Sequence, residues 1–312
     1  MWKEVLNLHE FLLAEMTRLR QTGLYRKMDV FEPAAAVRVR CGARNCLMFA
    51  SNNYLGLTHH PAVKEAAVAA TRSFGTGAGG ARLTVGNHLL YDGLEDALAG
   101  FKGTEAALVF GSGFLANIGV ISALIGAEGV IFSDELNHAS IIDGCRLARA
   151  RVLTYRHRDT RDLAAKLAAV SCGGPRLIIT DGVFSMDGDI APLDVIVDLA
   201  ERHNALVMVD DAHATGVIGP GGRGTAAYYG LEERVHIQTG TLSKALAAEG
   251  GFIAGSALLV EYLRNKARSF IFSTALAPAV VAAAHAALKL LAADASIIAG
   301  LREHSLFLRQ SL

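Results

Sequence analysis

Lys244 lies within TGTLSKALAAEGG (residues 239–251), where its immediate neighbours are small, hydroxyl-bearing or apolar residues. Surface lysines usually have charged neighbours, so this setting predicts that Lys244 is buried. Burial lowers the pKa of a lysine because the charged ammonium loses its water, and a neutral amine is a nucleophile toward carbonyl groups. The residue types around Lys244 therefore indicate Schiff-base chemistry with an aldehyde cofactor.

Pyridoxal phosphate (PLP) is such an aldehyde, and its use requires a phosphate cradle and a carboxylate at the pyridine nitrogen besides the lysine. FGSGFLA (110–116) follows an apolar run and precedes a helical pattern, so its glycines expose N–H groups at a helix N-terminus, which attracts anions. With Thr241 and Ser243, residues 111–114 could form the cradle. Asp210, at the end of the apolar run ALVMVDD, would supply the carboxylate.

Two of these stretches have other interpretations. FGSGFLA also fits the dinucleotide pattern G-x-G-x-x-A, with Asp134 at the end of the next apolar run, 18 residues after Ala116. A tight structural turn and a phosphate-binding turn both stay open for this stretch. His138, in SDELNHAS, is a lone histidine of a kind that is more often structural than catalytic.

The stretch VMVDDAH (207–213) ends in two aspartates, followed by His213. A buried carboxylate needs a partner, so a helix cap, an ion pair, a metal and a cationic ligand are all open for this pair. No third ligand has helical or CxxC-like spacing, so no metal is predicted. G-x-S-x-G is absent, which disfavours a hydrolase triad.

Apolar, β-rich runs alternate with helical patterns through the middle of the chain, which predicts an α/β fold with a mostly parallel sheet covered on both faces. Polar residues and glycines follow every run, at the strand ends where such sheets bind ligands. A hairpin is expected before this region and two helices after it. The runs span 106–110, 129–134, 151–155, 176–182, 205–211 and 235–240, and the helical patterns lie near 114–125, 139–150, 160–170 and 192–203.

The composition narrows the class of protein. The 312 residues include 30 basic and 30 acidic side chains, a balance that argues against nucleic acid or membrane as partners. Four cysteines without CxxC spacing indicate reduced thiols and a cytoplasmic location. Residues 1–21 predict an amphipathic helix rather than a signal peptide, and the uncharged stretches 106–127 and 269–288 predict buried elements.

In combination, these motifs resemble the α-oxoamine synthases, PLP-dependent enzymes of transferase fold type I. The resemblance implies an N-terminal arm at 1–55, a large PLP-binding domain at 56–276, and leading helices at 277–312 of a small C-terminal domain that would continue past residue 312. The matching stretches are SNNYLGL (51–57), GTGAGGARLTVG (75–86), KGTEAALVFGSGFLAN (102–117), SDELNHASIIDG (133–144), TDGVFSMDGDIAPL (180–193), VDDAHATGVIG (209–219), TGTLSKAL (239–246) and FIFSTAL (270–276).

Residue roles follow from the resemblance. Lys244 would hold PLP and move the substrate α-proton, Asp210 would pair with the pyridine nitrogen, and His138 would stack on the ring and help to orient the substrate. Arg26 and Asn52 would contact the substrates. A homodimer with shared active sites is implied, in which Thr274 reaches the phosphate of the partner subunit. The other implied cofactor contacts are Gly113, Phe114, Ser185, His213, Thr241 and Ser243.

The stretches GGARLTVGNH and FGSGFLAN resemble the branch of the family that condenses L-alanine with a pimeloyl thioester of CoA or carrier protein, with loss of CO2, in biotin biosynthesis. Alternatives are a glycine C-acetyltransferase-like enzyme and an oxidoreductase built on GSGFLA. An inactive PLP-binding fragment is also open, because the family's carboxylate-binding arginine would lie past residue 312. Ala247 stands where the family commonly has glycine.

Overall fold

A computed structural model of the protein describes residues 7–33 and 35–312. The chain divides into two units, residues 1–50 and 51–312. The segment 277–312, predicted to begin a further domain, is included in the second unit. The predicted division at residues 55 and 276 stays a prediction.

The first unit contains a helix and a small antiparallel sheet. The helix begins after Asn7, whose side chain accepts the N–H of His9, so it starts within the predicted segment; residues 1–6 of that segment lie outside the described residues. The predicted hairpin is confirmed, with Gly42 at φ 59° in its turn. The elements are α1 (Leu8–Gln21), β1 (Phe31–Glu32), β2 (Arg38–Cys41) and β3 (Arg44–Leu47).

The second unit is built on a seven-stranded sheet in the order β4-β10-β9-β8-β7-β5-β6. All six predicted apolar runs form strands of this sheet, and the only strand that runs against the others is β10. The strands are β4 (Ala106–Phe110), β5 (Val130–Asp134), β6 (Arg151–Tyr155), β7 (Arg176–Asp181), β8 (Leu206–Asp210), β9 (Ile237–Thr241) and β10 (Gly251–Gly255).

Helices cover both faces of the sheet, as the continuously apolar strands predict. The side chains of neighbouring strand residues point to opposite faces, so Ile178 packs in the core beneath α6 and α7 while Ile179 packs beneath α4 and α5. The helices are α2 (Pro61–Phe74), α3 (Leu89–Lys102), α4 (Gly113–Leu124), α5 (Ala139–Ala148), α6 (Thr160–Ala169), α7 (Leu193–Arg202), α8 (Thr225–Tyr229), α9 (Ala257–Lys266), α10 (Arg268–Ile271), α11 (Pro278–Ala293) and α12 (Ser296–Ser311).

The apolar helix α11 packs against α2 and α3, and its buried residues join the core that covers β4 and β10. Across the described parts of the chain, no single helix is long and apolar enough to cross a membrane. The pair α11 and α12 meets the length and composition criteria only together, and the pair is bent by 82°.

The parallel strands place the carboxyl ends of β7, β8 and β9 at one edge of the sheet. Asp181 and Asp210 are register partners on β7 and β8, and Asp210 pairs in turn with Thr239 on β9. The start of α4 reaches the same edge, because Gly251 of β10 lies directly against it: a Cβ at Gly251 would come within 2.4 Å of the Gly113 backbone nitrogen. Functional side chains from distant parts of the sequence therefore converge at this edge.

Candidate active site

A cavity of about 200 Å³ lies at this edge of the sheet. Most of the predicted site residues line it. These residues are Gly113, Phe114, His138, Ser185, Asp210, His213, Thr241, Ser243 and Lys244. The lining also includes Ser112 of the predicted cradle 111–114, and four residues that sequence reasoning did not select: Asn117, Ser140, Asp181 and Ala212.

Lys244 lies in a tight turn after β9. Leu242 and Leu246 on either side of it are fully buried, and the N–H of Ala247 donates to the Lys244 carbonyl at 3.1 Å. These contacts fix the turn so that the lysine side chain faces the cavity. Burial lowers the pKa of Lys244, and the negative charges of the two aspartates in the cavity offset this effect only in part.

Asp210 is held by hydrogen bonds rather than by a cation. Its Oδ2 accepts a 2.6 Å bond from Asn117 Nδ2, and its Oδ1 accepts the N–H of Ala212 at 2.9 Å. Asn117 is itself oriented, because its Oδ1 accepts from the Thr239 hydroxyl at 3.1 Å and its Nδ2 also donates to Ser140 Oγ at 2.8 Å. The carboxylate is thus positioned while its charge remains available to a cationic ligand.

Asp181 is a second carboxyl group in the cavity that the sequence analysis did not assign. Its Oδ2 accepts the backbone N–H of His138 at 3.0 Å, and its own N–H donates to Asn137 Oδ1 at 2.8 Å. Burial, together with the nearby charge of Asp210, raises the pKa of Asp181 well above its usual range. Its place at the end of the apolar run 176–182 is the sequence signal that could have selected it.

The two histidines have different environments. His138 caps the N-terminus of α5, where its Nδ1 accepts the N–H of Ser140 at 3.2 Å. His213 Nδ1 lies 2.7 Å from the Tyr54 hydroxyl. Burial, with the positive charges of Lys244 and His138, lowers the pKa of His213 to about 4, so this ring is neutral at neutral pH.

The start of α4 forms one end of the cavity. Ser112 caps the helix by accepting the N–H of Leu115 at 3.1 Å, and the first N–H groups of a helix have no acceptor within it. The hydroxyls of Thr241 and Ser243, which lie 2.7 Å apart, line the cavity beside Gly113, where a Cβ would come within 3.4 Å of the Thr241 Cβ. A helix N-terminus and two hydroxyl groups are suited to a phosphate.

This donor set fits PLP. The helix start and hydroxyls suit its phosphate, Asp210 suits a protonated ring nitrogen, and the amine of Lys244 suits its aldehyde. The alternative dinucleotide interpretation requires Asp134 to face the ligand, but this buried residue does not line the cavity. Its carboxylate instead accepts the N–H groups of Leu136 and Arg158, at 3.0 and 2.9 Å.

The second aspartate of VMVDDAH has a separate partner. Asp211 Oδ2 lies 2.6 Å from Lys102 Nζ, and both side chains are fully buried. The ion pair among the open interpretations therefore applies to Asp211, whereas Asp210 faces the cavity. Within residues 7–33 and 35–312, no three His, Cys, Asp or Glu side chains are grouped as metal ligands.

Gly111 of the predicted cradle does not line the cavity, and neither do three of the residues that the resemblance assigns to the site. Thr274 is exposed and forms an isolated β-bridge with Ala81. Asn52 Oδ1 lies 3.3 Å from the Tyr54 hydroxyl, which also contacts His213, so Asn52 is linked to the cavity through one side chain. Arg26 is exposed in the 1–50 unit, and its role stays a prediction.

Comparison with known proteins supports the same family. The family described as "Aminotransferase class I and II" matches residues 44–312. An 8-amino-7-oxononanoate synthase from Geobacter sulfurreducens is 52% identical over 279 residues, which cover 89% of this chain and 71% of that protein. 8-amino-7-oxononanoate synthase 2 from Bacillus subtilis is 49% identical over 289 residues, covering 93% and 74%.

The fold matches solved structures closely. A serine palmitoyltransferase variant from S. paucimobilis, solved with a bound PLP–myriocin aldimine, has a TM-score of 0.85 and 34% identity, and the match covers 93% of this chain and 73% of that one. The chain therefore belongs to the aminotransferase class I and II family and, within it, to the α-oxoamine synthases.

Proposed function

We propose that the protein binds PLP and converts L-alanine and a pimeloyl thioester into 8-amino-7-oxononanoate, CO2 and the free thiol, a reaction of biotin biosynthesis. The observation that carries this proposal is the convergence of Lys244 and Asp210 on a cavity whose other end is the start of α4. The relatives that are 52% and 49% identical support this branch of the family over the glycine C-acetyltransferase-like alternative.

When bound, PLP supplies an electron sink that acidifies the α C–H bond of an amino acid attached to it. We assign Lys244 as the group that holds the cofactor and moves the α-proton, because its amine lines the cavity and burial lowers its pKa, which favours the neutral form that can accept a proton. Asp210 would keep the positive charge on the ring nitrogen, since Asn117 orients its carboxylate toward the cavity.

The remaining cavity residues would hold the cofactor and orient its ring. We assign the phosphate to the N–H groups of Gly113 and Phe114 and the hydroxyls of Thr241 and Ser243. His138 would lie against the ring face, where its position is set by the bond from its backbone to Asp181. His213, kept neutral by its lowered pKa, would bond the ring hydroxyl together with Ser185, a further residue of the cavity lining.

A homodimer is the assembly that we propose. Thr274 is exposed and outside the cavity lining of its own chain, which fits a contact to the cofactor phosphate of the partner subunit. Asn52 would meet the carboxylate of the amino acid beside Tyr54, and Arg26 would lie near the acyl substrate. Equilibrium sedimentation tests the dimer, and loss of PLP affinity in a Thr274→Val dimer tests the shared site.

Product formation tests the reaction. Protein loaded with PLP should form 8-amino-7-oxononanoate from L-alanine and pimeloyl-CoA, as detected by mass spectrometry, and Lys244→Ala should form none. Borohydride reduction of the loaded protein should fix the cofactor on Lys244. A label on a different lysine would contradict the assignment, and preferential condensation of glycine with acetyl-CoA would move the protein to the other branch of the family.

A further inference from the structure

A second, larger recess adjoins the cavity that contains Lys244. This recess, which we call the α12 groove, has a volume of about 610 Å³ and shares Ser185 and His213 with the smaller cavity. Its walls are formed by the loop after β7 (183–188), the segment 217–220 and one face of α12. A molecule lying in the groove would therefore reach the reacting end of any ligand bound at Lys244.

The charged side chains that line the α12 groove are all positive. Arg302 and Arg309 line it, and no aspartate or glutamate does. His213, at the shared end, is neutral at neutral pH because of its lowered pKa. Two cations without an acidic neighbour in the same recess make a site for an anion.

The two arginines are placed to act together. With Leu306 they are spaced at intervals of four and three residues, so all three lie on one face of α12, and the arginines are separated by about 10 Å along the helix axis. Arg302 Nη2 donates to the carbonyl of Gly219 at 2.6 Å, which orients this guanidinium but leaves its other donors available. Neither arginine forms an ion pair with any carboxylate in the described portions of the chain.

The rest of the lining is mostly apolar and includes Val183, Ile218 and Leu306. An aliphatic chain gains free energy by leaving water for such walls. A ligand with an aliphatic body and an anionic end would match both features of the groove. The planar guanidinium of arginine is the side chain best suited to bind a carboxylate through two parallel hydrogen bonds.

We infer that the α12 groove binds the acyl chain of the thioester substrate and that Arg302 and Arg309 bind the carboxylate at the far end of that chain. This inference rests on the proposed function, since a pimeloyl group is a run of methylenes that ends in a carboxylate. The thioester end lies toward His213 and Ser185, and the carboxylate end lies along α12. The two arginines thereby select a dicarboxylic acyl donor over a simple fatty acyl donor.

Binding of paired analogues to the PLP-loaded protein tests this inference without turnover. The probes are the pimeloyl and heptanoyl amides of N-acetylethylenediamine, in which nitrogen replaces the thioester sulfur and no phosphate is present. Calorimetry should show that the pimeloyl amide binds about tenfold more tightly, as expected for a partly exposed, charge-assisted pair. The variant Arg302→Gln/Arg309→Gln should bind both probes with the affinity that the heptanoyl amide has for the unaltered protein.

Arg264→Gln is the matched control, because Arg264 is an exposed arginine of α9 that does not line the groove. It should retain the tenfold preference. The single variant Arg309→Gln, which breaks no hydrogen bond to the backbone, should lose part of the preference while leaving heptanoyl binding unchanged. A double variant that keeps the preference, or that binds both probes more weakly by the same factor, would overturn the inference.

Binding of coenzyme A is a further measurement in this test, because its phosphates are also anions that the two arginines could bind. If the double variant loses affinity for coenzyme A but keeps the preference between the two amides, the arginines bind the carrier and the inference is wrong. An unaltered protein that binds both amides equally would also overturn it, while leaving the proposed reaction intact. An unaltered protein that binds neither amide would contradict the pimeloyl donor itself.

Discussion

Asn117 Nδ2 donates a 2.6 Å hydrogen bond to Asp210 Oδ2 across 93 residues of sequence. Both groups are buried, and the amide cannot turn over without losing the hydroxyl of Thr239, which donates to Asn117 Oδ1. The pair therefore sets the direction in which the Asp210 carboxylate faces. Since that carboxylate is the only acceptor that we assign to the cofactor ring nitrogen, Asn117 acts on cofactor binding through Asp210.

Asn117→Ala should weaken PLP binding. A hydrogen bond to a charged group contributes roughly 1.5–3 kcal/mol, so the dissociation constant should rise by about ten- to a hundredfold. Titration with PLP, followed by visible absorbance, measures this change. Asn265→Ala on the exposed side of α9 is the control and should bind PLP normally. Unchanged affinity in Asn117→Ala would mean that Asp210 keeps its orientation without the amide.

The carboxylate of Asp211, the residue after Asp210, should affect the stability of the fold rather than cofactor binding. Lys102→Met removes the cation that pairs with the fully buried Asp211, and an unpaired buried charge costs about 3–5 kcal/mol of unfolding free energy. Urea unfolding of the cofactor-free protein should show this loss. Lys102→Met/Asp211→Asn should recover part of it, because the asparagine still accepts the N–H of Thr225 and carries no charge.

The exposed pair of Arg18 and Glu15 provides a control for that measurement. Arg18→Met should leave the urea midpoint nearly unchanged, because exposed ion pairs contribute little to stability. If Lys102→Met behaves like Arg18→Met, the buried pair is better solvated than its burial indicates.

The strand ends were predictable from sequence, but their partners were not. Lys244 and Asp210 stand out locally, because each follows an apolar run and has an unusual set of neighbours. The contacts of Tyr54 with His213 and of Asn117 with Asp210 join residues 159 and 93 positions apart. Those contacts depend on the order of the strands, which hydrophobic periodicity does not determine.

The strand β10 is a second feature that hydrophobic periodicity does not predict. Its sequence GFIAG is short and has glycine at both ends, so it lacks the composition of the other strands. It nevertheless lies between β4 and β9, and Gly251 at its start permits the close approach to α4. The sequence pattern predicted a mostly parallel sheet but did not identify β10 as its antiparallel strand, because the position of that strand depends on the topology.

Stability should depend on pH through His213. Its pKa is about 4 in the folded protein and about 6.5 in the unfolded chain, so the unfolded chain binds more protons between these values. Stability is therefore lost as the pH falls from about 6.5 toward 4. Allowing for partial exposure, the loss at pH 5 relative to pH 7.5 should be about 1 kcal/mol from this residue.

His213→Gln tests that window, since glutamine does not titrate. As the pH is lowered from 7.5 to 5, the urea midpoint of the cofactor-free variant should fall less than that of the unaltered cofactor-free protein. A parallel pH dependence in the two proteins would contradict the lowered pKa. Proton NMR of the His213 ring should show no titration above pH 6.

Ala247 should be the site of a stabilising substitution. Its φ of +56° places it in the left-handed region, where a side chain costs about 1–2 kcal/mol, and glycine avoids that cost. Glycine also loses about 0.5–1 kcal/mol more conformational freedom on folding, so Ala247→Gly should raise the free energy of unfolding by up to about 1.5 kcal/mol. Urea unfolding measures the gain.

The nearby Ala245 provides the contrast. It is buried and has no positive φ, so Ala245→Gly removes a packed methyl group without relieving strain and should lower the urea midpoint. Both substitutions lie in the turn that carries Lys244, and the hydrogen bond from the Ala247 N–H to the Lys244 carbonyl uses backbone atoms alone. Ala247→Gly should therefore bind PLP with unchanged affinity while unfolding at higher urea. A loss of stability equal to that of Ala245→Gly would show that the left-handed backbone at Ala247 carries no cost.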